Sequence, residues 1–181
     1  MKRKIQPASF VLWIFAALVL LSACRSGGAT PTLSVSVTPS IGNRTKTSGC
    51  QVQGKLPDSA CTPGAIIATA TKDQICVPGY SKNVRDVTTA EKDQVFAEYG
   101  IQTHSTGEYE VDHLISLELG GSNDIANLWP EAAEPRPGFH EKDKVENYLH
   151  DQVCSGAIPL QQAQIEISTN WLTIYDKMPG K

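Results

Sequence analysis

The chain has 181 residues, a formal net charge of −3 and 19% charged side chains, enough for one domain or one domain with tails. Between Ser81 and His150, acids outnumber Lys and Arg by more than two to one. That balance argues against a protein that holds nucleic acid mainly through a basic face and counterion release.

The first segment does not read as fold. Lys2, Arg3 and Lys4 precede an apolar run from Phe10 to Leu21, and Leu21-Ser22-Ala23-Cys24 sets small residues before a cysteine. The run is short for a bilayer span and reads as a signal peptide over residues 1–23. Its ending resembles a bacterial lipobox. That resemblance implies cleavage before Cys24 and a lipid on its sulfur, anchoring the chain to a bacterial membrane that faces the periplasm or the exterior. Losing residues 1–23 removes three positive and no negative side chains, taking the charge from −3 to −6. Residues 24–49, rich in Ser, Thr and Gly, are expected to form a flexible tether. Residues 50–181 are expected to be the domain.

Four further cysteines, Cys50, Cys61, Cys76 and Cys154, make an even number suited to an oxidising compartment. Three pairings are open from sequence alone. The favoured ones are Cys50–Cys61, closing a short loop around Leu56-Pro57-Asp58, and Cys76–Cys154, tying the front of the domain to the end of a later helix. Zinc is the rival use, but no Cys-x-x-Cys pair supports it.

Along the chain, Cys61-Thr62-Pro63-Gly64 and Cys76-Val77-Pro78-Gly79 read as two Pro-Gly turns with glycine supplying positive φ. The segment between them, Ala65 to Ile75, is expected to be extended. Thr88 with Glu91 makes a capping box for a helix over about Ala90 to Tyr99, stopped by Gly100. Glu110 to Leu119 is a strand candidate, Gly120 to Asp124 a turn, and Ile125 to Trp129 a short second strand. Strict alternation puts His113 on the apolar face of Val111, Ile115 and Leu117, so a regular strand buries the imidazole unless it bends or lines a cleft. Apolar spacing predicts helices over about His140 to Val153, ended by Ser155-Gly156, and over about Leu160 to Asp176.

The chemistry concentrates at Tyr109-Glu110-Val111-Asp112-His113, Gly120-Gly121 and Asn127-Leu128-Trp129-Pro130. Phosphodiester hydrolysis needs a base for water and neutralisation of charge on the phosphate and the leaving oxygen, which one divalent ion supplies. An adjacent Asp-His pair on an extended segment sends its side chains to different sides, so one can bind metal while the other faces water, and His needs little tuning to act near neutrality.

With the later Lys-bearing helix opened by His140, this order resembles the HNH endonuclease family. The wider run, with Cys76-Val77-Pro78-Gly79-Tyr80 and Lys142-Asp143-Lys144-Val145-Glu146-Asn147, resembles small secreted HNH-like proteins. The resemblance implies an α+β fold, with a ββα-metal core, added N-terminal and C-terminal helices and disulfide staples. It implies a metal-dependent endonuclease in which His113 is the general base and Asn127 braces the loop that orients it. Asp112 and His140 would hold the metal, with Asp143 or Glu141 as substitutes for His140, and Lys142 and Lys144 would meet phosphate. Mg²⁺ is the expected ion, with Zn²⁺ or Mn²⁺ as alternatives, and the expected partners are DNA and the membrane, the chain itself being monomeric. Ser116 stands where such proteins often have Pro. The alternative is a non-catalytic envelope lipoprotein of the same fold, serving as a binding or structural module, which the acidic balance favours.

Overall fold

The computed structural model describes residues 41–181. The expected leader, Cys24 and residues 24–40 of the expected tether lie outside the described residues. Residues 41–49 pack onto the domain. Thr45 donates its backbone N–H to the Ala60 carbonyl at 2.9 Å, and the partly buried guanidinium of Arg44 pairs with Glu98.

The helices begin where short polar side chains cap them. Thr71 and Thr88 each close a capping box, with Gln74 and Glu91, satisfying N–H groups that a helix start leaves open. The first box nucleates α1 (Lys72–Ile75), so Ala65 to Ile75 is not extended throughout. It makes one bridge, Ile66 to Gly121, before turning helical. The short α2 (Tyr80–Val84) follows, then α3 (Thr89–Glu98).

Strand β1 (Tyr109–His113) pairs antiparallel with β2 (Leu128–Ala132) in a two-stranded sheet. Both strands are shorter or later than expected. After His113 the chain leaves the ladder for a 3-10 turn at Leu117–Leu119, and a second 3-10 turn at Ile125–Asn127 replaces the start of the expected second strand. Asn127 causes the departure. Its amide takes over the Ile115 backbone, accepting from the N–H and donating to the C=O, both at 2.9 Å. A Cβ on Gly121 would lie 1.8 Å from the Ile115 carbonyl oxygen, so the loop folds back only around glycine.

Helix α4 (Phe139–Ser155) starts at Gly138, whose N–H donates to the Glu141 carboxylate at 2.9 Å, and ends at left-handed Gly156. Helix α5 (Leu160–Lys177) is interrupted at Asn170. Val145, Leu149 and Val153 of α4 meet Ala163, Ile167 and Trp171 of α5 in the main core, which Ile75, Ile115 and Leu119 complete. Burial of such side chains is the chief stabilising term. A smaller cluster, Val95, Val111 and Leu128, seats the hairpin on α3. Cys50–Cys61 and Cys76–Cys154 are disulfides, so the domain is an α+β fold stapled twice and suited to an oxidising environment. Among the described residues no helix is long and apolar enough to cross a membrane.

Candidate functional site

The register of the hairpin puts Asp112 and His113 on opposite sides of the sheet, as adjacent residues of an extended segment must lie. Asp112 pairs with Trp129 and Glu110 with Glu131, whereas His113 pairs with Leu128. Paired residues in an antiparallel ladder share a face and successive ones alternate. Asp112 and Glu131 therefore lie on one side of the sheet, and His113 lies on the other with Val111 and Leu128.

On the first side, α4 brings up a lysine. Lys142 is fully buried, and its Nζ donates to Asp112 Oδ2 and to the His113 carbonyl, each at 2.7 Å, as well as to Glu146. Glu146 stands four residues along, on the same face of the helix. Its second oxygen accepts from the Ser116 hydroxyl at 2.9 Å, which gives Ser116 a use that proline in its place would not have. Burial disfavours the Lys142 charge, but Asp112, Glu146 and Glu131 outweigh it and raise the pKa. Burial alone would raise Asp112, yet Lys142 holds its pKa below the usual value. For Glu131 and Glu146 burial dominates and raises the pKa, well above the usual range for Glu131. Neither Glu131 oxygen has a hydrogen-bond partner, although Asp112 lies beside it, and burial with that neighbouring charge favours its neutral form.

On the second side, His113 is 2% exposed. Its Nε2 meets Asn123 Oδ1 at 3.1 Å, and the Asn123 amide donates to the Val84 carbonyl at 2.7 Å. Burial, opposed by the Asp112 charge and the Asn123 hydrogen bond, lowers its pKa to about 4. The ring is neutral at pH 7, but it is closed off from water. A cavity of about 400 Å³ is lined by Tyr99, Tyr109, Trp129 and Glu131 among others, with neither Asp112 nor His113 in its wall.

Asn127 is fully buried and braces the loop after β1, donating also to the Ser122 carbonyl at 2.9 Å and accepting from Ala65 N–H at 3.3 Å. His140 is exposed, with its ring 4.3 Å from that of Phe139, and Lys144 is exposed too. Lys142, expected to meet phosphate, is buried and donates to Asp112, Glu146 and the His113 carbonyl. Sequence reasoning missed Glu131, Glu146 and Asn123. The i,i+4 spacing of Lys142 and Glu146 was the one local signal for an ion pair; nothing in sequence announced the other two.

At Asp112 a divalent ion would have to compete with the Lys142 ammonium. A positive group already sits at the carboxylate, and a second cation about 4 Å from it meets a repulsion of roughly 4 kcal/mol per unit charge near a protein surface. Among the described residues, the donors that converge closely enough for a metal are Cys76, His150 and Cys154, of which the two cysteines are joined. No family model, curated protein or solved structure matches the chain.

Proposed function

We propose that this chain is an exported, lipid-anchored envelope protein whose domain, a ββα-type scaffold resembling that of HNH nucleases, serves as a non-catalytic binding or structural module. One observation carries the reading: Lys142 Nζ, 2.7 Å from both Asp112 Oδ2 and the His113 carbonyl, stands where a catalytic cation would have to approach. The helix motif beginning at Lys142 supplies both that ammonium and its second acid, Glu146. The scaffold thus keeps its hairpin and helix together with an internal ion network in place of an external ion. The disulfides support export, and acylation at Cys24 would supply the anchor.

Plasmid DNA incubated with the protein and Mg²⁺, Mn²⁺ or Zn²⁺ should stay supercoiled, as it does with His113→Ala. Nicking by the wild type that EDTA and His113→Ala both abolish would overturn the proposal. Labelled palmitate should enter the wild-type chain in a bacterial host and not Cys24→Ala.

The second reading is the metal-dependent endonuclease. The order Asp112-His113, Asn127, then α4 favours it, as do the acids Glu110 and Asp143, whose pKa values are raised first by partial loss of hydration and then by the charge of nearby Asp112. It requires the His113 ring to become exposed, and the nicking assay decides between the two.

A further inference from the structure

We propose that Cys76, Cys154 and His150 form a redox-gated zinc site: closed as a disulfide in the oxidised protein, and open to one Zn²⁺ once the disulfide is reduced. The two sulfurs and a nitrogen of His150 all lie within 4.8 Å of one another, and His150 Nε2 is 3.4 Å from Cys154 Sγ. Zinc bonds of about 2.3 Å to sulfur and 2.0–2.1 Å to nitrogen put tetrahedral ligand atoms roughly 3.6 Å apart. Nitrogen and the nearer sulfur already have that separation. Cleavage of the covalent bond lets the Cys76 sulfur move the remaining distance, about 1.7 Å.

The fold supports such a site independently of the disulfide. His150 and Cys154 are spaced i,i+4 on α4, which puts them on one helical face. Cys76 ends α1, and the residue before it, Ile75, is buried in the core with Leu149 and Val153. Packing on both sides of the disulfide therefore keeps the three donors together after reduction. All three are partly exposed, so a reductant and an ion can reach them. His150 Nε2 lies 3.1 Å from the Ile75 carbonyl. Metal binding moves its proton to Nδ1 and frees the Nε2 lone pair.

The chemistry balances. A dithiol reductant transfers two electrons and two protons to the Cys76–Cys154 bond, giving two thiols and leaving as a cyclic disulfide. Zinc then displaces two protons from the thiols, and two thiolates, one neutral imidazole and a water complete four-coordination.

The full chain, reduced anaerobically with a phosphine that is then removed, should take up one Co²⁺ with the visible absorption of tetrahedral thiolate coordination, and Zn²⁺ should bleach it. The oxidised protein should show none. His150→Ala should weaken cobalt affinity by more than about tenfold, the lower range even for outer partners of a site. A double variant, Cys50→Ala with Cys61→Ala, should retain the spectrum. A reduced protein that keeps its circular dichroism but gives no cobalt spectrum would overturn the proposal. So would a spectrum that persists in Cys76→Ala, an affinity unchanged in His150→Ala, or loss of the native fold on reduction with zinc present.

Discussion

Lys142 and Asp112 tie the helix to the hairpin: the ammonium of α4 lies 2.7 Å from a carboxylate of β1, with the lysine fully buried. Such a pair is costly to break from one side, because an uncompensated charge stays behind. Lys142→Met should therefore lower unfolding free energy by about 3–5 kcal/mol in urea titrations at pH 7. Combining it with Asp112→Asn should cost less than the sum of the two single changes. Strict additivity would show that the ion pair does not couple helix to strand.

His113 sets an acid limit. Its pKa falls from 6.5 in the unfolded chain to about 4 in the folded one, so the unfolded state binds more protons between those values. The contribution is present above pH 6.5 and is lost as pH falls toward 4, by about 3 kcal/mol in all. In His113→Gln the urea midpoint should change less across this window than in the wild type. Parallel profiles would remove His113 from the acid response.

Glu131 has the opposite sign. Its pKa is raised in the fold, so its contribution is intact below the ordinary glutamate range and is lost as pH rises through the raised value. Glu131→Gln keeps the shape without the ionisation. It should raise thermal stability relative to the wild type increasingly as pH is taken from 5 to 8. A difference that shrinks over that range would contradict the assignment.

Asn127 holds two loops through its amide. Asn127→Ala leaves buried backbone groups of Ile115 unpaired, at about 1–3 kcal/mol for each group that water does not recover. Hydrogen exchange at Ile115 N–H should quicken more than at Val145 N–H in α4. Equal acceleration at both would mean global destabilisation without local release.

What was legible in the sequence was local. The Thr88–Glu91 box, the stop at Gly156 and the apolar stripe of α4 depend on neighbours within a turn, and they place helices to within a few residues. The disulfide partners were among three open pairings, and the favoured set is the one formed. Alternation also foretold that a regular strand would bury His113. The candidate site was less legible because register and long-range approach decide it. That residues 112 and 113 point to opposite faces was legible from their adjacency on an extended segment; what each face packs against was not. The pairing of Lys142 with Asp112 was hidden because no local pattern links residues 30 positions apart. The strand ended early because Asn127, not a strand residue, captured the backbone of Ile115.

Trp171 of α5 donates its indole N–H to the Lys55 carbonyl at 3.0 Å, across 116 positions of chain. Closing so long a loop is entropically slow and is rewarded only when both ends exist. The amino-terminal portion is synthesised first, so this contact forms only after α5 has been made. A chain cut short before Trp171 would lose that latch on the Lys55 stretch, leaving the front of the domain tied to α3 through Arg44 and Glu98.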